Sequence, residues 1–374
     1  MYRLPEEIQQ LINNECDLST LFKLSQTSKY NLKTYQKIIF LNHEVNYKSE
    51  LIFYDIIQMT KIKNINNVDI TDEIIKHLTN LTDLKLDGNT YITDEGIKRL
   101  TNLTSLNLDL NNNITDEGVK YLTNLTSLNL CLNEKITDEG IKYLNNLTDL
   151  RLNTNITYDG IKNLTNLTSL FLGGNKNITN KEIKHLTSLT LLNLGWNKNI
   201  TDEGIKDLTN LIKLYCNELI TDGGIKNLIN LTKLKLRLNT KITNEGIKKL
   251  TKLTYLDLGS CENITDEGFK NLTNLNKLNI GDCENITDGG IKNLTKLIQI
   301  NLGWSVKITD EGIKNLTNLT RLNFCRNTNI TNKGIKYLTK LISLNICDNE
   351  NITDEGIKYL IKLTSLYVGG SKKI

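Results

Sequence analysis

The sequence contains little that catalysis or export would need. It has three histidines, His43, His77 and His185, dispersed along 374 residues. It carries no phosphate loop, no nucleophile elbow and no C-x-x-C pair, so the chain reads as a non-enzyme with no cofactor. No ligands of metal type converge, so no metal is expected. The opening MYRLPEEIQQL lacks a long apolar run, which argues against a secretion signal, and no stretch of about 18 apolar residues exists to span a membrane. The expected setting is therefore the cytoplasm or nucleus of a cell, with no membrane partner. Formal charge is +4, too mild to imply a nucleic-acid partner by itself. Seven cysteines in a chain without an export signal read as reduced thiols. One proline in a background of Asn, Ile and Lys reads as the composition of an AT-rich genome rather than a special chemistry.

What is present is repetition. An isoleucine opens a similar stretch fourteen times, from Ile70 and Ile92 to Ile352, and eleven of the thirteen intervals are 22 residues. The other two, Ile136 to Ile156 and Ile200 to Ile220, are 20. A fixed period in this range means a stack of one small unit, each copy needing neighbours to bury its apolar face. In the copy starting at Ile92, residues Leu103, Leu106, Leu108 and Asn111 fit L-x-x-L-x-L-x-x-N, the leucine-rich-repeat pattern. Alternation around Leu106 and Leu108 predicts a strand with leucines inward and Ser105, Asn107 and Asp109 outward. Thr93 is placed to cap a short helix, Asp94 and Glu95 suit its positive end, and Ile97 and Leu100 share its inner face. Asn102 stands where a left-handed turn residue is wanted after that helix. Asn111 and its equivalents should form a buried ladder. Glycine at the Gly96 place, broken only at Ile74 and Glu182, suggests close approach of neighbouring helices.

The copies have further consequences. Lysine at the Lys98 place recurs in all fourteen, mostly with an acidic residue three positions before it, which predicts a solvated, self-neutralised helix face. Frequent N-x-T triplets read as turn and cap residues rather than glycosylation sites, which disfavours an extracellular receptor. Outward strand positions are mostly Ser and Asn at the flanks. In the middle, Phe171, Trp196, Lys213, Tyr215, Lys233, Lys235, Arg237, Tyr255 and Trp304 concentrate aromatics and cations, the usual anchors of a protein interface. These nine are the candidate residues for an unknown protein target. Cys325 and Cys347 share a column in adjacent copies, within reach of a disulfide, though free thiols are expected. In the two short copies the missing pair is read just before Ile156 and Ile220, with Leu219 replacing the ladder asparagine. Local irregularity with preserved strand register is expected there. The last strand, around Leu366, should present an open edge discouraged from pairing only by Lys372 and Lys373.

Residues 1–69 lack the repeat. Leu4, Pro5 and Glu7 open an apolar helix containing Ile8; Asp17, Leu18, Leu21, Leu24, Ser25, Ser28, Lys29 and Tyr30 follow. This arrangement resembles the F-box, with Cys16 and Tyr30 as departures from the usual larger apolar residue and tryptophan. The resemblance implies docking of a Skp-type adaptor through Leu4, Pro5, Glu7, Ile8, Leu21 and Leu24. Cys261-Glu-Asn-Ile-Thr-Asp and Cys283-Glu-Asn-Ile-Thr-Asp resemble the cysteine-containing leucine-rich repeats of F-box proteins, whose unit is longer. The plan is similar to that of F-box/repeat proteins of large amoeba viruses and bacterial F-box effectors. The expected organisation is an F-box-like helical module over 1–45, a linker and capping half-repeat over 46–69, and a repeat array over 70–374. Counting back by the repeat, the half-repeat would be Met59, Ile62, Asn64 and Asn67. The expected fold class is α/β, a leucine-rich-repeat solenoid with a curved parallel sheet and short outer helices. The resemblance implies the substrate-receptor subunit of a Skp–cullin–F-box ubiquitin ligase, with its target on the concave repeat face. The alternative is a protein-binding repeat scaffold with no ligase link.

Overall fold

The computed structural model describes residues 64–66, 71–76 and 78–370. The F-box-like module, with Leu4, Pro5, Glu7, Ile8, Leu21 and Leu24, lies outside the described residues. The chain forms two compact units. The first takes in the described residues as far as Thr148 together with Asp159–Leu164; the second takes in Asp149–Tyr158 and everything from Thr165 onward.

Each unit is a parallel sheet of three-residue strands alternating with one-turn helices. In the first, β1 (Asn64–Asn66), β2 (Asp83–Lys85), β3 (Ser105–Asn107) and β4 (Ser127–Asn129) pair in sequence order. The register matches Leu84 with Leu106 and Leu106 with Leu128, all buried. β1 corrects the count made from the sequence. Its register pairs Ile65 with Leu84 and Asn64 with Asp83, where a full repeat would have placed Ile62 opposite Leu84. The offset there is shorter than a full repeat.

The second unit runs from β5 (Asp149–Arg151) and β6 (Ser169–Phe171) through β7 (Leu191–Asn193), β8 (Lys213–Tyr215), β9 (Lys233–Lys235) and β10 (Tyr255–Asp257). It continues in the same register to Ser365–Tyr367. Leu150, Leu170, Leu192, Leu214, Leu234 and Leu256 form its buried inner row. At the last strand Leu366 is 37% exposed where its row-mate Leu344 is 1% exposed, so this strand covers its leucine on one side only.

The asparagine ladder follows from unsatisfied backbone groups at the turn leaving each strand. Asn111 Oδ1 accepts from the Asn113 and Ile114 amides at 3.1 and 3.2 Å, while its Nδ2 donates to the Asn89 carbonyl at 2.9 Å. Cys261, Cys283 and Ser305 take the same place, donating to Leu236, Leu258 and Ile280 carbonyls at 3.1, 3.2 and 2.6 Å. Burial pushes the Cys261 thiol up to about 12 and the Cys283 thiol up to about 11, which suits structural donors rather than nucleophiles.

The short copies differ from the sequence expectation in where residues are lost. Asn153 and Asn217 hold the ladder, and Asn217 donates to Asn197 and Ile200 carbonyls at 2.8 and 2.9 Å. Leu219 instead gives its amide to Asn217 Oδ1. The missing pair therefore falls between the strand and the ladder asparagine: Tyr215 and Cys216 lead directly into Asn217, whereas Lys235 and Leu236 lead through Arg237 and Leu238 to Asn239. Sheet register through β7, β8 and β9 is kept, as expected.

The helix side is tied across copies by an aspartate. Asp222 Oδ1 and Oδ2 accept from the Thr243 amide and hydroxyl of the next copy at 2.8 and 2.7 Å. Thr243 Oγ1 in turn accepts from the Glu245 amide as the helix cap. A methyl on Gly246 would overlap Asp222 Oδ1, so the glycine makes room for this carboxylate rather than for helix contact alone. Asn180, Asn244 and Asn332 take the aspartate's place in three copies, accepting the next threonine amide through Oδ1 and donating to its hydroxyl through Nδ2. One copy has neither residue, and it supports the link. Tyr158 replaces the aspartate, and one copy later Glu182 replaces the glycine. Glu182 Oε2 then accepts from the Thr179 amide and hydroxyl at 2.8 and 2.6 Å, supplying the carboxylate from within its own copy. Asn102 also acts across copies: its Nδ2 donates to the Thr79 carbonyl at 2.8 Å, and its backbone is not left-handed, contrary to the sequence reading.

Candidate functional site: the strand face of the second unit

Outward strand positions divide into those that serve the scaffold and those that do not. In the second outward column, Asn193, Asn279, Asn301, Asn323 and Asn345 each accept the amide two residues on, at 2.9 to 3.1 Å. Asp257 does the same for Gly259 at 3.2 Å and accepts from Asn279 Nδ2 at 2.7 Å. These side chains fix the turn, so the asparagine-rich flank is scaffold. Within the second unit this column departs from Asn or Asp at Arg151, Phe171, Tyr215, Lys235 and Tyr367, every one basic or aromatic. At Arg151 and Tyr215 the shortened turn removes the loop that an asparagine would brace. At Phe171 and Lys235 the full turn is present and the brace has been given up.

Four of the nine candidates form one cluster. Lys233 Nζ lies 5.3 Å from the Tyr215 ring centroid and 4.7 Å from that of Tyr255. Lys235 Nζ lies 5.0 and 5.9 Å from the same rings. All four distances are within reach of a cation–π attraction. Lys213 stands opposite Lys233 in the β8–β9 register, and the Arg237 side chain passes beside Gly259. Burial pushes the Tyr255 phenol up, and the nearby Asp257 carboxylate adds to the shift. Among the described residues no ion pair involves Lys213, Lys233, Lys235 or Arg237.

The other candidates lie apart. Phe171 is covered by the Arg151 guanidinium at 4.3 Å. Trp196 is 78% exposed in the turn after β7. Trp304 is covered by Arg326 at 4.2 Å, and Arg326 is paired with Asp348 at 2.8 Å. Arg151 and Arg326 were missed in the sequence, yet a signal existed. Each occupies the same column as its aromatic, one copy away.

Cys325 and Cys347 are joined, with Cα atoms 4.6 Å apart, which differs from the free thiols expected. They follow the paired residues Asn323 and Asn345 by two positions each, so the register brings them together. With Asp348 they are the one grouping of metal-type ligands among the described residues. The sulfurs are bonded to each other and the carboxylate to Arg326.

On the helix side most of the repeated lysines are neutralised as expected, with Lys142–Glu139 at 2.6 Å and Lys206–Glu203 at 2.8 Å among the pairs. No helix among the described residues is long and apolar enough to cross a membrane.

Comparison with known proteins agrees with this architecture. A leucine-rich-repeat family model matches residues 77–100, 99–123, 121–144, 185–208, 227–250, 249–272, 271–295 and 337–360. No curated protein sequence matches. Among solved structures, an internalin (inlF) from Listeria monocytogenes is 31% identical, with a TM-score of 0.57 over 79% of this chain and 88% of that one. The TLR13–ssRNA13 complex is 21% identical, with a TM-score of 0.54 over 89% of this chain and 63% of that one. The yeast Rad7–Elc1 complex is 19% identical, with a TM-score of 0.55 over 96% of this chain and 92% of that one. The last two likenesses are of fold alone. Inner leucine rows, a buried asparagine ladder, the matched family model and the internalin likeness together make this chain a member of the leucine-rich-repeat family.

Proposed function

We propose that this chain is a recognition subunit that binds a protein target on the strand face of its second unit. The leucine-rich-repeat fold is suited to protein–protein interaction and typically serves as a binding scaffold. The observation that carries the finer reading is the exchange of turn-bracing asparagine for Phe171 and for Lys235, the latter within the Lys233–Tyr215–Tyr255 cluster. Giving up a scaffold bond for an aromatic or a cation makes sense where a partner recovers the loss. We extend the proposal to residues 1–45 as an F-box-like module that docks a Skp-type adaptor, with 46–69 as the join and the array from 70 onward as the target receptor of a ubiquitin ligase. Support for that extension is the Leu4-Pro5-x-Glu7 entry and the Leu21, Leu24, Ser25 run.

Two arms test the proposal. Full-length protein mixed with a purified Skp adaptor should co-elute, and Leu4→Ala with Pro5→Ala should abolish co-elution while circular dichroism stays unchanged. Absence of co-elution in the wild type leaves a repeat scaffold with no ligase link. In the second arm, proteins retained by wild type from a cell extract are compared with those retained by Lys233→Glu/Lys235→Glu. At least one partner should be lost, by roughly tenfold or more in affinity. An unchanged set would overturn the strand face as the target site.

A further inference from the structure

The same cluster carries a chemistry that narrows its partner. Lys213 and Lys233 stand on neighbouring strands and Lys235 lies two residues along from Lys233. Such positions are roughly 5 and 7 Å apart. Like charges this close repel. The carboxylate in register with them, Asp257 opposite Lys235, is buried and accepts from the Gly259 amide and Asn279 Nδ2, and no carboxylate forms an ion pair with these lysines among the described residues. Tyr215 and Tyr255 offset the repulsion in part, but in doing so they present their faces to the protein's own ammonium groups. Rings occupied in that way are poor platforms for stacking bases. What the cluster offers outward is positive charge. Next to it, the copy containing Tyr215 lacks the turn pair that Trp196 and Leu238 belong to in the copies on either side. Both are exposed, Trp196 at 78% and Leu238 at 60%, as Leu110 is at the same place in a copy with full neighbours.

We infer that the partner presents an acidic, extended polypeptide segment: carboxylates meet Lys213, Lys233, Lys235 and Arg237, and a large apolar side chain settles against Trp196 and Leu238. This rests on the strand face being a protein-binding surface and names the chemistry of what it binds. Random-peptide display panned against the full-length chain separates the two ideas. Enriched peptides should be rich in Asp and Glu around an aromatic or aliphatic residue. Their affinity should fall roughly 30-fold or more in Lys213→Glu/Lys233→Glu/Lys235→Glu and stay within about twofold in Lys206→Glu/Lys248→Glu/Lys314→Glu. If the first triple variant does not fold, the Lys→Gln triple at the same positions should still lose roughly tenfold. Neutral or basic peptides that depend on these lysines would overturn the acidic partner and leave the binding surface standing. Enrichment that ignores the lysines would overturn both. A 20-nucleotide oligoadenylate RNA that binds more tightly than the best acidic peptide, and is lost in the same variants, would overturn the inference in favour of nucleic acid.

Discussion

The second unit displays lysine in two rows that look alike in composition and differ in physics. On the helix side Lys206, Lys248 and Lys314 each meet a glutamate three residues earlier, at 2.5 to 2.8 Å. On the strand side Lys233 and Lys235 meet tyrosine rings and form no ion pair among the described residues. The lysine of the first row is dictated by the repeat and recurs in every copy, most often with its acidic partner; the second row occurs once. Periodicity therefore separates scaffold from candidate site better than residue type does. The comparison also predicts a division of effects. Substitutions on the helix side should leave binding alone, moving stability where they break a buried bond, and substitutions of the strand-side cluster should weaken binding and leave stability alone.

The largest effect on the helix side should come from the smallest residue. Gly246→Ala puts a methyl against Asp222 Oδ1. The carboxylate must swing away and release both Thr243 bonds. Hydrogen bonds to a charged group contribute about 1.5–3 kcal/mol each, and alanine returns about 1 kcal/mol of helix preference, so a net loss of about 2–5 kcal/mol is expected. Chemical denaturation measures it. Asp222→Ala should cost a similar amount, and the double variant little more than either single one. Additive losses would show that the glycine serves something other than the aspartate. Affinity for a strand-face ligand should not change.

Much of this organisation was legible in the repeat itself. Inner leucines, the asparagine ladder, the Thr93 cap and the lysine–glutamate pairs all follow from interactions within one copy or straight across to the same column of the next. Interactions offset between columns were not legible. The aspartate-to-threonine link joins residues 21 apart, and Asn102 reaches 23 back to Thr79, so neither lies in a single column of an aligned repeat. The position of the lost pair was misread for a related reason. Asn153 and Asn155 both precede Ile156 in the sequence, and only the backbone groups they reach tell which is the ladder residue. The candidate site was half legible: outward columns were identifiable, but nothing in the sequence marked their asparagines as turn braces.

The Tyr158–Glu182 exception provides an intermediate effect and a pH test. Burial alone would raise the Glu182 carboxyl, but hydrogen bonds from Thr179 outweigh it and hold the group below the usual carboxylate value. A depressed folded-state value means the contribution is present above about pH 4.3 and is lost as pH falls through the folded value. Glu182→Gln should therefore lower stability by about 1–2 kcal/mol at neutral pH. The gap between variant and wild type should narrow below about pH 4.3 and close at lower pH. A gap independent of pH would mean that glutamine fails for reasons of shape rather than charge.

The smallest effect is expected where the structure shows the most conspicuous pairing. Lys248 and Glu245 lie 2.5 Å apart, with side chains 41% and 65% exposed. At that exposure water and salt compete for both charges, and holding two long side chains in one geometry costs entropy. Lys248→Ala should change the folded-to-unfolded ratio by about twofold or less, and added salt should erase even that. Truncating Lys235 should leave the ratio equally untouched yet weaken a strand-face ligand, because its ammonium is held by rings inside the repeat and is free to meet an anion. If Lys248→Ala instead weakened ligand binding as much as Lys235→Ala, the two rows would be acting through the general field of the protein. The strand-side cluster would then have no special claim as the binding site.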